Sequence, residues 1–153
     1  MFNYTILNPI KELKIDEKKI NKIFNFIDFL IDKKQNWTLN IIFVSNEEIK
    51  KLNNDFRKIN KETDVLSFHY FEDFSSLKDD DIAWEIVTSK EKIFSQAEEF
   101  GILPEEEFYK LLIHSIIHII WYDHQNQEDY KIMQNLENQV YKEIWLEKLI
   151  VKL

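Results

Sequence analysis

The spacing of apolar residues along the chain predicts a mixture of helices and strands. Between residues 16 and 31, apolar side chains recur three or four positions apart, as on one face of an amphipathic helix. Residues 37–44 are instead rich in β-branched and aromatic side chains, which favours a strand. The same reasoning predicts three further strands, at residues 2–7, 64–70 and 82–88. The acidic segment 72–81 is typical of a solvated loop.

Local capping patterns predict where the other helices begin and end. Ser45 followed by Glu48 is a capping box, which predicts a helix through about residue 57. Ser89 can cap another helix, which ends at Gly101 because glycine adopts the left-handed conformation most cheaply. Two more helices are predicted at residues 104–121 and 128–149.

These elements predict a single α+β domain over residues 1–153, with a small four-stranded mixed sheet packed with about five helices. The 44% apolar content is ample for one core, and no linker or repeat divides the chain. No signal sequence is recognisable, and no apolar run approaches the roughly 20 residues of a membrane span. The absence of cysteine fits a reducing compartment. We therefore expect a cytoplasmic protein that does not contact membranes.

Charge argues against a protein that coats nucleic acid unspecifically. Lysine and arginine total 20 residues against 28 aspartate and glutamate residues, a net charge of −8. The sequence is still compatible with a local basic patch, because Lys51, Lys58 and Lys61 lie near Arg57, the single arginine of the chain. For each of these lysines, an ordinary solvated helix face is an equally good interpretation.

Three of the four histidines, at positions 114, 118 and 124, lie close together in the sequence. Residues four apart share one face of a helix, so His114 and His118 can bind the same metal ion. An unbroken helix would place His124 roughly 9 Å farther along and about 120° around the axis, so the helix must end first and the chain turn back. Three imidazoles would then leave one position open for water, as in catalytic zinc sites. The alternative is a pair of buried core histidines.

Three segments of the chain can be read together as motifs: LNNDFR at residues 52–57, TDVLSF at residues 63–68 and HSIIHIIWYDH at residues 114–124. Together they resemble the motifs of the YbeY family of bacterial rRNA maturation endoribonucleases, and the resemblance covers roughly residues 40 to 140. It implies a compact α+β fold and one Zn²⁺ ion held by His114, His118 and His124. It also implies that Arg57 matches the functional arginine of the family; the alternative is an exposed arginine that interacts favourably with a helix C-terminus.

The same resemblance implies cleavage of single-stranded RNA in 16S rRNA 3′-end maturation and ribosome quality control. The expected partners are single-stranded or ribosomal RNA and the ribosome or its small subunit, and DNA is not expected. Zinc with three neutral ligands lowers the pKa of bound water to about 7. Arg57, assisted by Lys51, Lys58 and Lys61, would position the phosphodiester. Attack by water and attack by the 2′-hydroxyl of the RNA both stay open.

The chain departs from the family motifs at several positions. Ser115 and Trp121 stand where the family has glycine, and His69 stands where proline is common. Trp84 also occupies a glycine position, where its indole could narrow an RNA groove, stack on a base or simply pack in the sheet. Asp123 could orient the adjoining histidine or cap a turn.

Two other functions compete with a nuclease. One is a ribosome-assembly factor that binds RNA, in which the three-histidine site is mainly structural and cleavage is weak or lost. The other is a small metalloprotease, which Ser115 argues against because that position carries the catalytic glutamate in the HExxH motif.

Overall fold

A four-stranded mixed sheet lies at the centre of the fold and separates two groups of apolar side chains. The structure is a computed structural model that describes residues 2–30, 37–69, 82–120 and 127–144. The described elements, in chain order, are β1 (Phe2–Leu7), α1 (Glu17–Leu30), β2 (Trp37–Val44), α2 (Asn46–Arg57), β3 (Val65–His69), β4 (Ile82–Ser89), α3 (Lys90–Phe100), α4 (Pro104–Ile120) and α5 (Gln127–Glu143). The predicted α+β class, with four strands and five helices in the described part of the chain, is confirmed.

The strands lie in the order β1-β2-β4-β3. β1 pairs with β2 and β2 with β4 in parallel, whereas β3 runs antiparallel to β4 at one edge of the sheet. The turn before β3 is held to the end of β4, because the Asp64 carbonyl accepts hydrogen bonds from Ser89 N at 3.0 Å and Thr88 Oγ1 at 2.9 Å. The start of the TDVLSF motif is therefore fixed to the centre of the sheet.

Alternation along the strands sends side chains to two different cores. Leu39, Ile41 and Phe43 of β2 face the larger core, which α1, α4 and α5 cover. Ile42 and Val44 face a smaller core under α2, built around Ile49, Leu66 and Val87. Each fully buried aliphatic side chain contributes roughly 1.5–3 kcal/mol, so the larger core supplies most of the stabilisation.

Trp84 packs in the larger core, with only 4% of its surface exposed. Of the three interpretations of this residue, sheet packing is therefore confirmed, and the groove-narrowing and base-stacking interpretations are wrong. The last helix also packs in this core, since Met133, Val140 and Ile144 are buried.

Capping follows the sequence closely at the predicted sites. Ser45 Oγ accepts a hydrogen bond from Glu48 N at 3.1 Å, and Ser89 Oγ accepts one from Lys92 N at 3.2 Å. Gly101 ends α3 in the left-handed conformation, with a φ of 66°. The end of α2 is different, because Lys58 takes the left-handed conformation there, with a φ of 60°.

No helix among the described residues has the length and apolar character needed to cross a membrane. The predicted loop at residues 72–81, as well as Trp121, Asp123 and His124, lies outside the described residues.

Candidate active site

A cavity of about 640 Å³ opens between the C-terminal end of α2, strand β3 and helix α4. Its volume is typical of a small-molecule or substrate site, roughly 300–1,000 Å³. All of its lining residues belong to the three motifs of the sequence: Phe56, Arg57, Asp64, Val65, Leu66, Ser67, Phe68, His114, Ser115 and His118. Two motifs that are close in the chain and a third that lies far from them thus form one continuous surface.

Helix α4 presents its two histidines to this cavity. Its other faces are held in the core by residues such as Leu112, Ile113 and Ile117, each no more than 2% exposed. His114 and His118 lie one turn apart on the exposed face, with ring centroids 6.0 Å apart and ring planes inclined by 16°. The alternative of two core histidines is therefore wrong, because both side chains face the cavity.

A buried carboxylate on α5 fixes the orientation of His114. The Nδ1 atom of His114 lies 2.5 Å from Oε1 of Glu137, whose side chain is 6% exposed. This hydrogen bond is the main reason why the pKa of His114 is raised, and desolvation opposes it in part. When Nδ1–H donates to the carboxylate, Nε2 of the same ring is left with its lone pair for a metal ion.

Polar residues continue from the cavity into the protein along α4. Glu107 is fully buried, and Nζ of Lys110 lies 3.1 Å from its Oε2 atom. Burial raises the pKa of Glu107, although Lys110 lowers it in part. The pKa of Tyr141 on α5 is also raised, first by burial and then by the charges of Glu137 and Glu107. The histidines thus stand at the end of a buried, predominantly acidic row.

Asp64 forms part of the cavity wall and has fixed partners. Its Oδ2 atom accepts a hydrogen bond from Gln96 Nε2 at 3.2 Å, while its carbonyl is bonded to β4. Ser115 lies next to the first histidine in the cavity floor and is 2% exposed. Within the described part of the chain, its Oγ atom has no hydrogen-bond partner. The site therefore contains a rigid carboxylate and a buried hydroxyl beside the two imidazoles.

Arg57 is brought into the same cavity as the histidines, as the last residue of α2. Lys51, Lys58 and Lys61 are exposed on neighbouring surface, but they are not among the lining residues. The Lys61 carbonyl instead accepts a hydrogen bond from the buried Asn53 side chain at 3.0 Å. The structure thus places the single arginine in the site and leaves the role of the lysines a prediction.

The chemistry of the site fits a metal ion in part. Zn–N bonds are about 2.0–2.1 Å long, so two imidazoles on one ion have ring centres several ångströms apart, comparable with the 6.0 Å observed. The described residues contain no group of three possible ligands. The third predicted ligand, His124, falls outside them, so the zinc ion and its full ligand set stay a prediction.

Glu137 supports the site through His114, a role that the sequence does not predict. It follows the apolar pattern of α5, four positions after the buried Met133 and three before the buried Val140. An acidic residue on a buried helix face needs a partner, and this position within the apolar pattern of α5 is a signal by which its role could have been found.

The sequence of the chain is similar to a family of known proteins. The profile described as Endoribonuclease YbeY matches residues 5–145. Endoribonuclease YbeY of Caldicellulosiruptor bescii is 36% identical over 140 residues, which cover 86% of this chain and 85% of that protein. The Syntrophomonas wolfei protein of the same name is 35% identical over 147 residues, 92% of this chain and 94% of its own.

The fold also has a match among solved structures. The solution structure of TM1509 from Thermotoga maritima superposes with a TM-score of 0.59 at 28% sequence identity. The match covers 97% of this chain and 91% of that one, so the similarity extends over the whole domain.

Proposed function

Because the chain belongs to the Endoribonuclease YbeY family, we propose that it is a zinc-dependent endoribonuclease that cleaves single-stranded RNA. The names of the relatives support the endoribonuclease reaction. The observation that carries the assignment of the site is the convergence of Arg57, His114 and His118 on one cavity. Ribosomal RNA is the proposed substrate, with 16S rRNA 3′-end maturation and ribosome quality control as the processes it serves.

The proposed metal ligands are His114, His118 and His124. When bound, zinc would supply Lewis-acid activation of water and polarisation of a phosphoryl oxygen. The contribution of the chain is to hold the imidazoles in place. Glu137 accepts a hydrogen bond from Nδ1–H of His114, which selects the tautomer with Nε2 free and restricts rotation of the ring. The buried apolar faces of α4 prevent the helix from turning the histidines away from the cavity.

Arg57 is proposed to bind the scissile phosphodiester. A guanidinium group can donate two parallel hydrogen bonds to a phosphate, and its charge offsets the negative charge that develops on the oxygens during displacement. Lys51, Lys58 and Lys61, which are exposed near Arg57, are proposed to hold a longer strand of RNA through its phosphates. In this proposal the ribosome or its small subunit presents the strand.

The test combines metal analysis with cleavage of single-stranded RNA by three proteins. We expect the unmodified protein to bind zinc and cleave, His118→Ala to lose metal and cleavage, and Arg57→Ala to keep the metal but lose cleavage. The products separate the two possible nucleophiles, because 2′-hydroxyl attack leaves a cyclic phosphate and water attack a linear one. Double-stranded RNA serves as the control substrate.

Two outcomes would contradict the proposal. Cleavage retained by both variants would exclude the mechanism. An unmodified protein that is folded and loaded with metal but does not cleave would instead favour the RNA-binding assembly factor with a structural metal site.

A further inference from the structure

A second cleft, of about 400 Å³, lies beside the cavity on the α2 side of the sheet. It shares two lining residues, Phe56 and Phe68, with the cavity that contains Arg57 and the histidines. The two depressions therefore adjoin each other, and the two aromatic rings form their common wall. A chain molecule that is held by Arg57 would have its next group at this cleft.

The lining of the cleft shows which group would fit. Six of its seven lining residues are apolar, and the other is Glu85. A carboxylate repels phosphate, and apolar side chains offer phosphate no hydrogen bond. The cleft therefore suits a flat, uncharged, partly apolar group rather than another part of the sugar-phosphate backbone.

Phe56 is unusually placed for an aromatic residue. Its side chain is 67% exposed although it directly precedes Arg57 at the end of α2. Its ring meets that of Phe68 edge to face, with centroids 5.1 Å apart and planes inclined by 65°. The Phe56 ring is thus held by its contact with Phe68 while most of the side chain faces solvent, as in a stacking platform.

We propose that this cleft is a nucleobase subsite, in which the base next to the scissile phosphate stacks on Phe56 while Arg57 holds the phosphate. The inference rests on the proposed function. It also supplies a physical reason for single-strand specificity, because a base that is stacked and paired in a duplex cannot enter the cleft. Specific recognition of single-stranded RNA commonly uses aromatic side chains in this way.

The test measures binding of a short single-stranded RNA in the presence of a chelator, so that affinity is read without cleavage. We expect Phe56→Ala to weaken binding about 5- to 150-fold, the range that loss of one base-aromatic stack produces. Phe56→Tyr keeps the ring and is expected to bind as the unmodified protein does. Phe29→Ala is the matched control, because Phe29 is an 82% exposed ring on α1 that also contacts another phenylalanine, Phe26.

An RNA backbone oligomer without bases completes the experiment. If Phe56 acts through a base, Phe56→Ala does not change the affinity for this oligomer. An equal loss of affinity for both oligomers would overturn the subsite, as would unchanged RNA binding by Phe56→Ala. Circular dichroism checks that each variant is folded, and Phe56→Leu, which keeps apolar volume without a flat ring, is expected to behave like Phe56→Ala.

Two further measurements separate this inference from its alternatives. Unchanged RNA affinity of Phe56→Ala together with lost binding to purified small ribosomal subunits would assign the cleft to a ribosomal protein and overturn the subsite. Addition of zinc in place of the chelator then tests cleavage. An unmodified protein that binds bases through Phe56 but does not cleave contradicts the proposed nuclease alone, because the binding assay needs no metal.

Discussion

The hydrogen bond between His114 and Glu137 joins helices α4 and α5 at the proposed metal site. The spacing of His114 and His118 is readable from sequence because the helical period fixes which residues share a face. The partner of His114 lies on another helix, and its position depends on how α4 and α5 pack. Arg57 was found because a motif marks it, whereas the role of Glu137 appeared only with the tertiary structure.

Substitution of Glu137 should weaken metal binding without removing any proposed ligand. Glu137→Gln keeps an oxygen acceptor but loses the charge that orients the ring and increases its basicity as a ligand. We expect zinc affinity to fall about 10- to 100-fold, measured by competition with a chromogenic chelator. The control is Glu143→Gln, an exposed position on the same helix. Equal affinities in Glu137→Gln and the unmodified protein would show that the carboxylate does not support the site.

At the scale of elements, the described helices and strands lie close to where the apolar pattern predicts them. Capping residues explain this agreement, since Ser45, Ser89 and Gly101 define helix ends by local hydrogen bonds and backbone freedom. The end of α2 could not be read in the same way. Lys58 has the conformation that glycine usually takes, and no sequence feature marks a lysine as left-handed.

The conformation of Lys58 predicts a stabilising substitution. A left-handed residue with a Cβ atom costs about 1–2 kcal/mol, which glycine avoids, although glycine loses more backbone entropy on folding. We expect Lys58→Gly to raise the free energy of unfolding by about 0.5–1 kcal/mol. For a chain of this size, each kcal/mol raises Tm by about 2–4 °C.

The matched control for this prediction lies in the same helix. Lys50 is an exposed residue inside α2, where glycine costs about 1 kcal/mol relative to alanine. Lys50→Gly should therefore lower Tm in the same thermal unfolding measurement. A fall in Tm for Lys58→Gly as well would mean that the lysine side chain stabilises the helix end by more than the strain that it carries.

At the scale of the whole molecule, the sequence predicts the class of fold but not the neighbours in the sheet. Alternating side chains define the two faces of β2 and β4, yet they carry no information on the order β1-β2-β4-β3. The side-chain pattern also does not show which face of the sheet is covered at Trp84. Three interpretations of this residue were therefore open until its burial in the larger core decided between them.

The buried carboxyl of Glu107 should make the stability of the molecule depend on pH. Burial raises its pKa above the ordinary value of 4.5, so the folded state binds this proton more tightly than the unfolded state. The resulting stabilisation is present below about pH 4.5 and is lost as pH rises through the folded-state pKa. Glu107→Gln cannot ionise at this position, so its stability does not fall in this way as pH rises. Lys110 loses its ion pair in this variant but keeps its contact with the Phe100 ring, whose centroid lies 4.1 Å from Nζ.

We therefore expect the Tm of Glu107→Gln, relative to that of the unmodified protein, to increase from acidic to neutral pH. Thermal unfolding in a pH series measures this difference. Glu98→Gln, at an exposed position on α3, is the control for general effects of charge and should give a nearly constant difference. A Tm difference for Glu107→Gln that shrinks as pH rises would show that the ion pair with Lys110 outweighs the cost of burial.

The walls of the cavity come from α2 and β3, which are close in the chain, and from α4, which lies much farther along it. Contacts between such distant segments form late, because loop closure must come first. A chain still emerging during synthesis, or one that has partly unfolded, thus has histidines and an arginine but no assembled site. The cavity can therefore hold a substrate only after the segment that carries α4 has packed against β3.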